Sequence, residues 1–152
     1  MLRRRFLQLI FRVTAGACAT VLCAKKSLAD WPEKHFSKGD FADSFQQLFG
    51  DRTIDYSEAI RLVLPEIAEN GAVVPITISS DLADIQRLYI WVEKNPTPLA
   101  AEVTFDASLA VYLTARIKMA ESCHVVVIAQ QGEQLLRNQR WVKVMQGGCG
   151  TG

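Results

Sequence analysis

The stretch LAVYLTARIKM, residues 109–119, decides the fold class. In it Leu109, Val111, Leu113, Ala115 and Ile117 alternate with Tyr112, Thr114, Arg116 and Lys118. Successive side chains of a strand point to opposite faces, so a period of two describes a strand with one face on a core and one in water, as in an antiparallel sheet. Working outward, further strand-like runs occupy residues 60–64, 72–78, 87–93, 102–105, 125–130 and 140–145. Seven short strands separated by turns predict an all-β, immunoglobulin-like antiparallel β-sandwich. Asn70-Gly71 reads as the turn of a first hairpin, because Asn-Gly favours positive φ. Pro75 has no N–H for a ladder, which places it at an edge or with its amide side outward. Asn95-Pro96-Thr97-Pro98 is a stiff connection between strands.

One segment before the strands has a different period. Phe41, Phe45, Leu48 and Phe49 fall at i, i+4, i+7 and i+8, which lines up one face of a short helix, with Asp40 placed to cap it and Gly50 to end it. An aromatic stripe of this kind reads as a face docked on the domain or on a partner.

The chain of 152 residues is long enough for one domain with a real core. Residues 1–29 read as a cleaved export signal. Arg3, Arg4 and Arg5 make a basic start, residues 13–24 form an apolar run too short to cross a bilayer, and Ser27-Leu28-Ala29 offers small residues for cleavage. Arg3-Arg4-Arg5-Phe6-Leu7-Gln8 resembles a twin-arginine signal, with the pair at Arg3 and Arg4, although Leu2 and Gln8 depart from its usual Ser or Thr and Lys. Such a signal exports folded protein, so the expected destination is the periplasm; the alternative, an ordinary secretory peptide with a strong basic start, also leads out of the cytoplasm. The expected organisation is a signal over 1–29, a domain over 30–146 and a mobile arm over 147–152.

Cleavage changes the charge. All 16 acidic residues lie from Asp30 onward, whereas Arg3, Arg4, Arg5, Arg12, Lys25 and Lys26 lie before it, so 11 basic residues against 16 acidic leave the mature chain at −5. Nothing basic remains to neutralise phosphates, which argues against a nucleic-acid partner. No mature segment is long and apolar enough to span a membrane, and Ala15 stands where a lipoprotein signal before Cys18 requires Leu.

Cys18 and Cys23 leave with the signal, and Cys123 and Cys149 remain in a compartment that permits disulfides. The chain has two histidines, His35 and His124, and no haem-attachment, zinc, nucleophile-elbow or phosphate-loop motif. His124 adjoins Cys123, but neighbours in a strand point to opposite faces and do not converge on one metal. Cys123 reads as an ordinary small residue near a turn; the alternative is a second redox partner for Cys149.

Cys149 is the candidate site. It stands in Gly147-Gly148-Cys149-Gly150-Thr151-Gly152, where its neighbours have no side chains to shield the sulfur or stiffen the backbone. Four extended residues reach about 13 Å, enough to enter another protein's cleft. Two readings follow: a reactive thiol on an arm, or a structural cysteine bridged to Cys123 or to a second chain. A free thiol has a pKa near about 8.5, and the surrounding negative charge disfavours the thiolate. Cys149 is therefore expected to be sluggish until a partner's pocket supplies positive charge.

"GGCG" at the end of the chain, "PEIAENGAVVPITI", "KNPTP" and "TARIKMAES" together resemble the SoxY family, the sulfur-carrier subunits of the thiosulfate-oxidising Sox system. Where that family usually ends Gly-Gly-Cys-Gly-Gly, this chain continues Gly150-Thr151-Gly152. The resemblance implies that Cys149 is the covalent attachment site for sulfur intermediates, with Gly147, Gly148 and Gly150 giving the arm its freedom. It also implies no permanently bound cofactor, only thiosulfonate and persulfide adducts on Cys149. The implied partners are a SoxZ-like subunit, a haem-containing sulfur transferase, a sulfate-releasing hydrolase and, in some organisms, a sulfur dehydrogenase. On this reading the protein is not an enzyme but the covalent substrate of enzymes. The alternatives are an exported β-sandwich interaction module whose Cys149 forms a structural intermolecular disulfide, and a thiol transferase with a base supplied by its own fold.

Overall fold

The computed structural model describes residues 33–106 and 108–145. Their strands are β1 (Ile54–Tyr56), β2 (Ile60–Val63), β3 (Ile67–Ala68), β4 (Val74–Ser80), β5 (Ile85–Val92), β6 (Leu99–Thr104), β7 (Val111–Ile117), β8 (Cys123–Gln131) and β9 (Gln134–Val144). Two sheets form. One runs β1-β9-β8-β5-β6, with β3 also pairing β9, and the other runs β2-β4-β7. Side chains between the sheets make the main core, including Ile60, Ile76 and Ile78 from the smaller sheet and Leu88, Ile90, Val125 and Val127 from the larger. This is the expected all-β, immunoglobulin-like sandwich.

The alternation in β7 holds: Val111 and Ile117 are buried, Leu113 and Ala115 half-buried, and Tyr112, Thr114 and Arg116 exposed. Leu109, expected inside, is exposed instead. Its amide donates to the Asp106 carbonyl (3.0 Å), and the Asp106 carboxylate accepts from the amide and hydroxyl of Ser108 (3.0 and 2.6 Å), so a tight turn ends before the strand begins. Pro75 is exposed and pairs only with Arg116 of β7, because β2 reaches no farther than Thr77, which makes this end of β4 a local edge.

The Asn70-Gly71 hairpin is corrected. β2 and β4 do pair antiparallel, but β3 lies in the connection and pairs parallel with β9, and Gly71 has no positive φ. Asn70 instead accepts the Ala72 amide on its side chain (2.8 Å) and the Val73 amide on its carbonyl (3.3 Å). The tight hairpin joins β8 to β9, where Gln131 pairs with Gln134 and Gly132 takes φ 57°. β1 also pairs parallel with β9. One long strand, β9, thus carries β8 on one side and two short parallel strands on the other.

The helix α1 (Phe41–Phe49) forms as its spacing predicts and lies on the outer face of the larger sheet, preceded by a 3-10 turn at Glu33–Phe36. Phe41, Phe45 and Phe49 surround Trp91 at centroid distances of 5.6, 5.6 and 6.2 Å, and Phe49 meets Tyr89 edge-on at 5.1 Å. The aromatic stripe therefore docks on the domain itself, in a second core over β5 and β8. Gly50 ends the helix at φ 58°, its amide donating to Gln46. Asp40 occupies the cap position, but its side chain makes no cap hydrogen bond, a correction to its expected role. Glu102 of β6 ties the lead-in down by holding His35 (2.9 Å), while its other carboxylate oxygen takes Arg87 of the neighbouring strand β5 (3.2 Å).

Candidate functional site

Cys149, Gly147, Gly148 and Gly150 lie outside the described residues, as do Arg3 and Arg4. The described residues show how the sandwich holds the chain up to Met145. β9 continues to Val144, and its last residues are tied on both flanks. Lys143 donates its amide to the Glu66 carbonyl (2.9 Å) and Met145 to the Ala68 carbonyl (3.0 Å), while the Val144 amide donates to the Ser122 hydroxyl (2.9 Å). The chain is thus fixed backbone by backbone up to Met145, and three residues, Gln146, Gly147 and Gly148, separate that point from Cys149.

The other thiol is in an opposite setting. Cys123 opens β8 and faces the core between the sheets, 1% exposed and level with Val142 of β9. Burial, the largest influence, pushes its thiol above the ordinary range. A thiol so placed is a packing group, as the plainer reading of the sequence has it, and is not offered to a second redox centre.

His124 points the other way, onto the helix-bearing face. Its Nδ1 lies 3.2 Å from Glu93 Oε2, its backbone amide donates to the same oxygen at 3.3 Å, and its ring meets Trp141 edge-on at 5.0 Å. Trp141 pairs directly with His124 across β8 and β9 and is 55% exposed. Beyond it Lys143 pairs with Ile67 of β3. Sequence reading placed residues 140–145 in a strand but missed this outward row, although its signal is simple: Trp141, Lys143 and Met145 alternate with Val142 and Val144.

Among the described residues no three His, Cys, Asp or Glu side chains gather to hold a metal ion. An open groove of about 580 Å³ lies between the start of α1 and the β5–β6 connection, lined by residues such as Asp40, Phe41, Glu93 and Pro96. A second, of about 570 Å³, lies where β1, β2 and β9 meet. It contains Arg61, whose guanidinium is engaged by both carboxylate oxygens of Asp81 (2.7 and 3.0 Å).

Comparison with known proteins gives the following. The family model for sulfur oxidation protein SoxY matches residues 45–149, a span that ends on Cys149. Among solved structures, the sulfur carrier protein SoxY from Chlorobium limicola f thiosulfatophilum is similar, at 34% identity over 68% of this chain and 94% of that one, with a TM-score of 0.61. A superoxide reductase (neelaredoxin) from Ignicoccus hospitalis is 17% identical over 57% of this chain and 80% of its own, with a TM-score of 0.47, too slight a likeness to bear on function. No curated protein matches.

Proposed function

This chain belongs to the SoxY family of sulfur oxidation proteins, and from that premise we propose that it carries sulfur intermediates covalently on Cys149 and presents them to partner enzymes during thiosulfate oxidation in the periplasm. The observation that carries the reading is that the family match runs through the sandwich and ends on Cys149. The geometry adds that the neighbouring root is held rigidly to Met145 and that the other mature cysteine, Cys123, is sealed in the core.

The chemistry follows from the thiol. Joining Cys149 to thiosulfate converts Cys–SH and S₂O₃²⁻ into Cys–S–S–SO₃⁻, releasing one proton and two electrons. The electrons need an acceptor, and the partner of the loading step is accordingly an oxidant, a haem-containing sulfur transferase. Water then releases the terminal sulfonate as sulfate and a proton, leaving the persulfide Cys–S–SH, which is the work of a hydrolase. Where a sulfur dehydrogenase is present, it oxidises the persulfide with three waters to Cys–S–SO₃⁻, taking up six electrons and releasing seven protons, and a second hydrolysis frees sulfate and a proton and restores Cys–SH. The carrier itself contributes a nucleophilic sulfur, a short arm and a surface to be recognised, and it works beside a SoxZ-like subunit. Export of the folded chain by the twin-arginine signal at Arg3 and Arg4 is consistent with delivery of a pre-assembled pair.

The test is Cys149→Ser in cells that oxidise thiosulfate. The expected result is loss of thiosulfate oxidation with the thermal unfolding of the protein and its co-purification with the second subunit unchanged. Retained oxidation sinks the proposal. Loss of folding or of the subunit would instead show a structural bridge.

A further inference from the structure

Resting on that reading, we infer that the apolar rim at the root of the arm, built from Ile67, Trp141 and Met145, is the surface on which the sulfur-loading enzyme docks. The three side chains are 55%, 55% and 60% exposed, which for large apolar groups clustered at one end of a sheet marks an interaction surface. The register brings them together. Trp141 sits beside His124 and, two residues on, Lys143 sits beside Ile67, all on the face that carries α1. The helix covers the next row inward, Trp91 and Val126, and stops short of this one.

The length of the arm selects the occupant. Cys149 is four residues past Met145, so a fully extended chain places its Cα no more than about 14 Å from the fixed end of β9, with the sulfur one side chain beyond. An enzyme that reacts with that sulfur must bring its reaction centre within this distance, and its body must then rest on the surface around Met145. The outer face of the smaller sheet also exposes large side chains, Val63 at 66% and Tyr112 at 71%, but it lies on the far side of the sandwich from the row just described. The rim has the make-up of an interface centre, an aromatic anchor with aliphatic neighbours, and Trp141 is held in place by its edge-on contact with His124, which Glu93 fixes in turn. Lys143, in the middle of the patch, complements an enzyme mouth that is acidic or carries anionic substrate.

The experiment uses the protein with whatever subunit co-purifies with it, the purified haem-containing transferase and thiosulfate. It compares wild type, Trp141→Ala, Ile67→Glu and Met145→Glu, with Tyr112→Ala as a control on the other sheet. Two rates are measured on each: enzymatic loading of Cys149 and alkylation of Cys149 by iodoacetamide. The expected result is a loss of about tenfold or more in loading kcat/KM, through KM, for the rim variants. Their alkylation, and both rates in Tyr112→Ala, stay within about twofold of wild type. Unchanged loading in the rim variants overturns the inference, as does an equal fall in both rates, which would mean altered thiol access. Loss of the co-purifying subunit from the rim variants also overturns it by assigning the rim to the subunit interface. Wild type that is alkylated but never loaded would bring down the carrier reading, and this surface with it.

Discussion

The thiol of Cys123 lies between two sheets, beside Val142 and out of reach of solvent, and its chemistry follows from that position. Iodoacetamide applied to the native protein at neutral pH is expected to leave Cys123 unmodified and to modify it once the chain is unfolded; peptide mapping distinguishes the two. Because burial raises its pKa, the folded state keeps the proton through a range in which the unfolded chain loses it. The stability contributed by this group is therefore complete below the ordinary thiol pKa and declines as pH rises above it. The alkaline fall in unfolding midpoint should be shallower in Cys123→Ala, which itself costs about 1–2 kcal/mol for the lost packing. Acid behaves differently. The hydrogen bond from Arg61 holds the Asp81 carboxylate below its usual range, so that pair loses its contribution only as pH falls through the lowered value. Both groups are exposed, and salt screens the effect. At this scale the sequence marks Cys149 as the candidate through its glycine neighbours, but does not mark the exposure of Trp141. An alternating strand fixes which residues share a face and leaves open which stretch of that face a helix will cover.

Among the elements, α1 and the strands it covers form a unit whose strength is concentrated in Trp91. That ring is fully buried against three phenylalanines, and its Nε1–H has no hydrogen-bond partner among the described residues. Trp91→Ala is expected to cost about 3–5 kcal/mol in urea unfolding, and Trp91→Phe distinctly less, since it keeps an aromatic ring and removes an unsatisfied donor. Asp40→Ala should cost only a few tenths of a kcal/mol instead of the ~1 typical of a working N-cap, because the carboxylate makes no cap bond. Seven strands were legible because each carries alternation or a continuous apolar run. β1 and β3 were not: three and two residues are too few to show a period, and their partner β9 lies some 80 positions away in sequence for Ile54 with Leu135 and nearly as far for Ile67 with Lys143. The Asn70-Gly71 turn misled for the same reason, since an unseen strand occupied the supposed hairpin loop.

Taken whole, the proposed carrier has Cys149 four residues beyond Met145, the last residue tied to the sandwich, and on that reading this length sets the geometry of its encounters. Deleting Gly147 and Gly148 shortens the reach by about 7 Å; enzymatic loading should collapse while alkylation by iodoacetamide continues, and loading that survives the deletion would show that partners do not work at the limit of the arm. The fold class and the family were readable from residues, because local period and an unusual cysteine context are properties of short stretches. The doubled sheet edge on β9 and the apolar rim around Met145 come from pairings between distant segments, and only the folded chain displays them. The most direct test of the carrier claim is the intact mass and peptide map of the protein purified, without reductant, from cells oxidising thiosulfate. The account predicts sulfane, sulfite or thiosulfate adducts on the Cys149 peptide that disappear on reduction; a Cys149 found only in a disulfide between protein chains, never bearing inorganic sulfur, would contradict it.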